Sequence, residues 1–428
     1  MRALIIGGGG REHALAWKFG QEDPTIELLA APGNPGIAEL AECVAISPSD
    51  IAELVDLARD RDVDMTIVGP EAPLAAGIVD HFRIQGLPIF GPTRAAAEIE
   101  TSKAFAKQLM LDDGIPTARA EMHTVPALAK AAARRFGAPV VIKASGLAAG
   151  KGVIVCGTLA EAEHAIDDML SGNRFGDAGS EVLVEEFMDG EELSIFAITD
   201  GSSFVQLPAL QDHKRLLDQD AGPNTGGMGA YLPVSLASPA IATEAADRII
   251  APTLRALAKR GRPFTGLLYA GVMVTRDGLK VVEFNCRFGD PETQALMPAL
   301  GNFPVLDIMR VVAEGRPLDG AAANVPPTGE ACVTTVLAAA NYPDTPRTGD
   351  VISIPPAEAG VFVFHAGTAR DADNRLVTAG GRVLAVSAVA PTIEEAHHRS
   401  FNFAQRVHFA GKQLRSDIGW REIARHRS

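Results

Sequence analysis

Residues 280–294 read KVVEFNCRFGDPETQ and form the most informative stretch of the chain. A strand-like run, Lys280–Phe284, leads into Asn285, and residues two apart on a strand point to the same face, so Glu283 and Asn285 lie side by side. A carboxylate and an amide oxygen suit Mg²⁺, a hard ion that keeps waters and shares its ligands with phosphates. The segment from Cys286 to Gln294 is rich in charged residues, Gly and Pro, which is difficult to explain by packing. An ordinary surface turn is the alternative interpretation.

A long polar connection precedes this stretch. It contains QDHKR at 211–215 and GPNTGGMG at 222–229. Long loops of this kind are often functional, and a solvated linker is the alternative. His213 is not predicted to bind a metal, because no other His or Cys lies near it in sequence. His365, in an apolar run before Gly367, is predicted to be structural.

A glycine-rich loop, KASGLAAGKG at 143–152, lies between two strand-like runs. Such a loop can close over a polyphosphate with its backbone amides while Lys143 and Lys151 neutralise charge. It is not the G-x-x-x-x-G-K-[ST] loop, because the spacing from Gly146 to Gly150 is one residue short and Gly152 replaces the hydroxyl residue. A flexible hairpin tip is the alternative.

Residues 185–192, EEFMDGEE, place a short apolar segment between carboxylates after a strand-like run. The backbone near Phe187 could serve a purine, and a carboxylate could serve ribose hydroxyls. A solvated acidic turn fits the local pattern equally well.

The N-terminal run GGGGRE, residues 7–12, follows the first strand and opens a helix. Glycines allow close backbone approach, and free N–H groups at a helix N-terminus suit a phosphate. A dinucleotide fingerprint is disfavoured, because Glu12 stands where the last glycine should be and the second strand ends in Ala31-Pro32-Gly33-Asn34 without an acid for the ribose. A monophosphate site is favoured over a tight turn without a ligand.

The order of predicted elements indicates several domains. Strand-like and helix-like runs alternate through the first hundred residues, which predicts β-α-β units and a parallel sheet. The next region is rich in strands and Gly-rich turns, and Pro317–Pro327, with its three prolines, resembles a domain border. The remainder predicts short strands and a closing helix at Thr392–His408. We therefore expect a multidomain α/β and α+β fold with divisions at about 100 and 320.

Composition excludes several functions. The 428 residues carry a net charge of −14, which argues against nucleic-acid binding. The four cysteines form no C-x-x-C pair, which predicts buried free thiols in a reducing compartment and no zinc site. No signal peptide or apolar run of the ~20 residues that span a bilayer is present, so a cytoplasmic protein is expected.

Together these segments resemble the ATP-grasp superfamily and, within it, the phosphoribosylamine–glycine ligase (glycinamide ribonucleotide synthetase) family of purine biosynthesis. The resemblance covers nearly the whole chain and rests on segments 7–15, 32–34, 68–73, 102–105, 142–155, 211–231 and 282–294. The last two segments are the most specific. The resemblance implies an N-terminal Rossmann-like domain at 1–100 for phosphoribosylamine, an ATP-grasp domain at 101–320 with a mobile lid at 118–190, and a small, mainly β C-terminal domain at 321–428.

The resemblance also implies a reaction and its residues. ATP, glycine and 5-phosphoribosylamine would give glycinamide ribonucleotide, ADP and phosphate through glycyl phosphate, with Mg²⁺ or Mn²⁺, in a monomer. The residues implied for ATP are Lys103, Lys143, Gly150, Lys151, Glu185, Glu186, Phe187 and Glu192. Those implied for the metal are Glu283 and Asn285, and those for glycine and its developing phosphate are Asp212, Lys214, Arg287 and Asp290. Those implied for phosphoribosylamine are Gly9, Gly10, Glu12, Asn34 and Glu71. Arg287, Lys214 and Lys143 are the expected catalytic residues.

The sequence departs from the family at two positions. Many relatives have Asp where Ser145 stands, which puts the details of the glycine loop in doubt. The strand-like run Tyr269–Val274 offers no acidic metal ligand. Three alternatives remain at this level: another ATP-grasp ligase or biotin-type carboxylase, an NAD-dependent oxidoreductase, and a non-catalytic nucleotide sensor.

Overall fold

The computed structural model describes residues 1–146, 152–170, 180–318, 323–325 and 329–427. The N-terminal part alternates strands and helices, and its strands form one parallel sheet in the order β3-β2-β1-β4-β5. The elements are β1 (Arg2–Gly7), α1 (Gly10–Glu22), β2 (Glu27–Pro32), β3 (Glu42–Cys43), α2 (Ile51–Asp60), β4 (Met65–Val68), α3 (Glu71–Ala76), α4 (Ile78–Ile84) and β5 (Ile89–Phe90). The predicted parallel sheet is confirmed.

One predicted helix of this part is wrong in detail. The sequence pattern predicts one helix-like run at Leu74–Phe82, but this segment divides between α3 and α4 at Gly77. Gly77 has φ of +90°, a left-handed conformation that glycine adopts without steric cost.

A second unit follows two linking helices. The helices are α5 (Arg94–Thr101) and α6 (Lys103–Asp112), and the unit comprises β6 (Ala120–His123), α7 (Pro126–Phe136), β7 (Val140–Ala144), β8 (Val153–Cys156), α8 (Leu159–Leu170) and β9 (Val182–Glu186). Its strands form an antiparallel sheet in the order β6-β9-β7-β8. Its two helices pack over an apolar cluster of its own, which includes Ala132, Ile142 and Ile166. This cluster gives the small unit a separate core.

The central part carries a five-stranded sheet and a long connection. Its elements are β10 (Glu191–Thr199), β11 (Phe204–Gln206), β12 (Gln211–Asp212), β13 (Arg215–Leu217), β14 (Ala221–Asn224), β15 (Gly229–Leu232), α9 (Pro239–Ala245), α10 (Ala251–Lys259), β16 (Gly266–Thr275), β17 (Gly278–Asn285), α11 (Glu292–Ala299), α12 (Val305–Ala313) and β18 (Ala323–Asn324). A π-helical turn, Ala246–Ile250, joins α9 to α10. The sheet order is β17-β16-β10-β11-β18, antiparallel except for the last pair.

The C-terminal part is mainly β, as predicted. Its elements are β19 (Ala331–Ala338), β20 (Val361–His365), β21 (Thr368–Arg370), β22 (Leu376–Thr378), β23 (Arg382–Ala390), α13 (Ile393–Arg406) and α14 (Trp420–Arg427). Its main sheet has the order β12-β15-β19-β23-β20, so two of its strands come from the connection before the predicted border at 320. Because every residue of β19 is buried, the strand needs partners on both edges, and β15 supplies one of them. The connection and the C-terminal part therefore share one sheet.

Two further predictions can be compared with the structure. None of the helices in the described ranges is long and apolar enough to cross a membrane. All four cysteines are free thiols, as predicted, but Cys43 is exposed instead of buried, because it lies on the edge strand β3.

Candidate active site

The predicted metal ligands, Glu283 and Asn285, lie on β17 where it runs beside β16. Gly271 on β16 is opposite Glu283 on β17 and Ser194 on β10. A Cβ atom at Gly271 would lie 3.1 Å from Oε1 of Glu192 and 3.5 Å from Cγ of Glu283. The missing side chain thus leaves both carboxylates facing one space, and this strand offers no third acid there.

Glu283 and Asn285 have the chemistry of a shared metal site. Burial raises the pKa of Glu283, but the ammonium groups of Lys214, Lys143 and Lys103 outweigh burial and lower it overall, so the carboxylate is ionised. The Asn285 side chain has no hydrogen-bond partner in the part of the chain that the structure describes. Within the same ranges, no three His, Cys, Asp or Glu side chains come together as a metal cage. The pair therefore fits an ion that takes its other ligands from phosphate and water.

A buried ion-pair cluster lies behind this space. Lys143 Nζ is 2.8 Å from Oε2 of Glu185 and donates to the Val282 carbonyl at 3.0 Å. Lys107 Nζ is 3.0 Å from the other oxygen of Glu185. Burial raises the pKa of Glu185, but the two ammonium groups have the larger effect and lower the pKa overall. The carboxylate is therefore charged, and each of its oxygens pairs with one ammonium group. Glu185, one of the residues predicted for ATP, thus holds Lys143 in this structure.

Lys103 begins a helix that points into the same space. Ser102 caps α6, its Oγ accepting from the Phe105 N–H at 3.1 Å, which places Lys103 in the first turn. A lysine is unfavourable at a helix N-terminus, so its place there suggests a ligand. Its Nζ donates to the Gly146 carbonyl at 3.1 Å, and burial lowers the pKa of this amine. Gly150 and Lys151 lie outside the described residues.

Two residues predicted for glycine, Asp212 at the end of β12 and Lys214 just after it, lie near Glu192, which is predicted for ATP. Lys214 Nζ is 2.5 Å from Oε1 of Glu192 and 3.9 Å from Oε1 of Glu283. Asp212 faces the same group of charges. Burial, with Glu292, Glu192 and Glu283 nearby, raises the pKa of Asp212 to about 8, against the lowering effect of Lys214. Excess negative charge in this corner favours a cationic ligand, such as an ammonium group.

This pKa gives a prediction for the ligand-free protein. An unfolded Asp ionises near pH ~3.9, whereas folded Asp212 keeps its proton up to a pH of about 8, so the folded state binds more protons between these values and stability falls as pH rises through this window. Asp212→Asn should remove the part of this pH-dependent loss of stability that comes from Asp212. We expect the variant to have a higher urea midpoint than the wild type at pH 7.5 and the two to converge below pH ~4. Parallel pH profiles would contradict the assignment, and Glu395→Gln, an exposed carboxylate, is the control.

The adenine candidates lie at the end of β9. The Glu186 carboxylate accepts from Nε of Arg119 at 2.6 Å and lies 3.6 Å from Lys280 Nζ. Burial raises the pKa of Glu186, while hydrogen bonds from Arg119 lower it overall. Phe187 is 43% exposed, so its ring is available to a flat ligand. Glu186 and Phe187 therefore lie at the border between the small unit and the central sheet.

Arg287 connects the central part to the N-terminal part. Its Nη2 is 3.0 Å from Oε1 of Glu100, and its Nε donates to Oε2 of Glu71 at 3.3 Å. The Cys286 N–H donates to the other oxygen of Glu100 at 2.7 Å. Burial opposes the charge of Arg287, but the carboxylates raise its pKa, so it stays a cation. The guanidinium is therefore held in place at the mouth of the N-terminal glycine turn.

Several residues predicted to touch phosphoribosylamine make close contacts within the protein. Glu12 is 2% exposed; one of its oxygens accepts from the Gly9 N–H and the other from Nε of Arg11, each at 2.6 Å. A Cβ atom at Gly10 would lie 2.5 Å from Nε2 of Gln294, so Gly10 allows α1 to pack on α11. Glu12 and Gly10 thus shape the turn, and Gly9 is the residue of the three nearest to Asp290.

Asn34 joins distant parts of the chain. Its Nδ2 donates to the carbonyls of Gly8 and His365, and its Oδ1 accepts from the N–H groups of Gly36 and Ile37, all at 2.8–2.9 Å. The side chain is fully engaged, so its role is to position the glycine turn. His365 is buried with a hydrogen bond from its N–H to Nδ1 of His13 at 2.8 Å, which agrees with the predicted structural role.

Asp290, predicted for glycine and its developing phosphate, lies beside the N-terminal glycine turn. Its Oδ1 accepts from Nε2 of Gln294 at 2.7 Å, and its Oδ2 is 3.5 Å from the position of a Cβ atom on Gly9. Burial raises the pKa of Asp290, but Arg382, Arg11 and Gln294 lower it overall. The carboxylate is charged and faces the N-terminus of α1.

Sequence reasoning missed several residues of the site. Lys107 lies four positions after Lys103, on the same face of α6, and this spacing could have identified it. Glu292 lies in the stretch 280–294 but was assigned no role; its Oε1 accepts from the Tyr269 hydroxyl at 2.8 Å. No local signal pointed to Glu100, whose partners are distant in sequence.

Family models of known proteins match three successive parts of the chain. Three family models match: the phosphoribosylglycinamide synthetase N domain over residues 1–100, its ATP-grasp (A) domain over 101–293, and its C domain over 332–421.

Curated proteins match over the whole chain. A phosphoribosylamine–glycine ligase of Xanthomonas axonopodis pv. citri is 49% identical over 431 residues, covering 100% of this chain and 99% of that protein. One from Escherichia coli O6:H1 is 48% identical over 433 residues, covering 100% of both.

Solved structures give the same result. The crystal structure of a Thermotoga maritima phosphoribosylamine–glycine ligase superposes with a TM-score of 0.85 at 34% identity, covering 98% of this chain and 100% of that one. The biotin carboxylase domain of Hydrogenobacter thermophilus 2-oxoglutarate carboxylase, solved with MgADP and bicarbonate, has a TM-score of 0.71 at 17% identity, covering 96% and 91%. The second likeness is one of fold alone.

Proposed function

The chain belongs to the phosphoribosylglycinamide synthetase family and is a ligase, and we propose that the site built around Glu283 and Arg287 joins glycine to 5-phosphoribosylamine at the expense of ATP. The products are glycinamide ribonucleotide, ADP and phosphate, a step of purine biosynthesis. The observation that supports this site most directly is the bridge from Arg287 to Glu100 and Glu71. It places a cation from the phosphate-binding part beside the N-terminal glycine turn, where the second substrate would enter.

The residues that would hold MgATP have the right chemistry. Glu283 and Asn285 would bind Mg²⁺ or Mn²⁺ with oxygen ligands, and the ion would neutralise phosphate charge. Lys103 and Lys143 would contact phosphates, and Lys151 is proposed for the same role on resemblance alone. Glu185 does not bind ATP in this proposal; with Lys107, it holds Lys143 in position. Phe187 and the backbone beside it would face adenine.

Glu192 and Lys214 form one ion pair in the ligand-free protein. We propose that ribose hydroxyls take the Glu192 carboxylate and so free Lys214 for the glycine carboxylate. The ammonium group of glycine would then lie near Asp212. Two anions, a carboxylate and a triphosphate, meet in this corner, so positioning and charge neutralisation are needed more than a strong base.

The chemistry has two steps. An oxygen of the glycine carboxylate bonds to the γ-phosphorus, and the bond to ADP breaks. The phosphoribosylamine nitrogen then bonds to the carbonyl carbon of glycyl phosphate, loses a proton and displaces phosphate. Arg287 lies between the two substrates and would stabilise charge on the transferred phosphoryl group. Asp290 and Gly9 would face phosphoribosylamine.

The division into 1–100, 101–320 and 321–428, with 118–190 as a mobile lid, stays a prediction. A monomer acting in the cytoplasm also stays a proposal.

The decisive experiment is phosphate release from MgATP with glycine and freshly generated phosphoribosylamine, each alone and together. Release that requires both substrates is expected. Release with neither, or only with another acid or amine, would keep the ATP-grasp fold and discard this acceptor pair.

A further inference from the structure

Arg382, from the C-terminal strand β23, reaches into the site from outside the central part. Its Nη1 donates to the carbonyl of Asp290 at 2.6 Å and to that of Gly226 at 2.5 Å, and its Nη2 is 3.4 Å from Oδ1 of Asp290. A single guanidinium therefore holds two loops that belong to different segments of the acceptor site. Arg382 was not among the residues that the sequence suggested.

The two loops fit closely around this group. A Cβ atom on Gly226 would lie 3.1 Å from Cζ of Arg382, and one on Gly227, whose φ is +110°, would lie 2.5 Å from Cδ of Pro291. The N–H of Gly226 donates to the Tyr342 hydroxyl at 2.9 Å. C-terminal side chains thus satisfy both backbone polar groups of Gly226.

Fixing Gly226 also fixes the backbone of Lys214. Thr225 donates to the Lys214 carbonyl through its N–H at 2.7 Å and its hydroxyl at 2.9 Å. The Gly227 N–H donates back to the Thr225 hydroxyl at 3.0 Å. The path from Arg382 to Lys214 therefore consists of adjacent hydrogen bonds.

We propose that Arg382 is a positioning residue for the acceptor side of the reaction: it holds the Asp290 turn and the loop after Lys214 in register. This inference rests on the proposed function. Because its hydrogen bonds go to these two loops, its loss should disturb acceptor binding and aminolysis while sparing MgATP binding. A lysine could serve only part of this role, since one ammonium lacks the planar fork that reaches several acceptors at once.

The test uses the full-length enzyme with Arg382→Ala, Arg382→Lys and Tyr342→Phe. Arg375→Ala is the control, because Arg375 pairs with Asp371 and Asp373 in its own hairpin. For Arg382→Ala we expect kcat/KM for the acceptors to fall roughly ten- to a hundred-fold, with the Kd for MgATP within about two-fold of wild type. The ratio of phosphate released to product formed should rise above one, because misplaced glycyl phosphate is lost to water. Arg382→Lys should recover part of the loss, and Tyr342→Phe should shift the ratio in the same direction by less.

Arg382 would have no positioning role if phosphate and product stayed equal in all variants, or if activity, MgATP affinity and the unfolding midpoint fell together. The wild type alone tests the proposed function. If that function is wrong, the wild type will release phosphate without requiring both glycine and phosphoribosylamine.

Discussion

Glu283→Ala is expected to lower kcat for phosphate release on the order of 10²-fold or more, because it removes one of the two proposed metal ligands and leaves Lys103, Lys143 and Lys214 without their shared carboxylate. The Glu283 side chain is 33% exposed, and its Oε1 lies 3.9 Å from Nζ of Lys214. The substitution therefore removes little packing. We therefore expect the unfolding midpoint to change little. The measurement is the steady-state rate with both substrates over a Mg²⁺ titration, with circular dichroism to follow the fold.

Glu283→Gln sharpens this test, because it keeps size and hydrogen bonding but removes the charge. It should raise the Mg²⁺ concentration needed for half-maximal rate. Glu395→Gln, which changes an exposed carboxylate on α13, should match the wild type in both rate and Mg²⁺ dependence. Wild-type rates in the two Glu283 variants would refute the metal assignment.

Arg287→Ala is expected to lower kcat roughly 10²-fold while the Kd for MgATP stays within about two-fold of wild type, because Arg287 lies at the mouth of the N-terminal turn and its partners are carboxylates of that side. Rates and nucleotide binding should be measured on the same preparation. A defect confined to ATP binding would move Arg287 out of the acceptor site.

Loss of Arg287 also leaves Glu100 and Glu71 without their cation. Glu100 is 7% exposed, and breaking a buried pair costs about 3–5 kcal/mol, so the alanine variant should be less stable than the wild type. Arg287→Lys keeps the charge and avoids most of this cost. It should fold normally yet remain slow, because a lysine cannot reproduce the fork that reaches both carboxylates. A fully active lysine variant would show that charge alone, without geometry, is sufficient.

Some features around the candidate site could be predicted from the sequence because local rules govern them. The two-residue period of a strand places Glu283 and Asn285 on one face, and the structure has both on β17. The alternation of strands and helices predicted the N-terminal parallel sheet, since parallel strands require crossover helices.

Other features were invisible because they depend on how distant elements pack. The partners of Glu185 are Lys143 and Lys107, and nothing within 185–192 indicates that this carboxylate is buried between two amines. The chain also gives no local sign that Arg382 meets Asp290, 92 residues away, across a sheet that joins the connection to the C-terminal part.

The sequence by itself thus determined the residue types, their spacing along each strand and turn, and the family to which they belong, because these follow from short-range backbone geometry. Only the tertiary structure decided which charges meet. An ion pair or a hydrogen bond acts over a few ångströms, and whether two side chains come that close depends on the packing of whole sheets and helices.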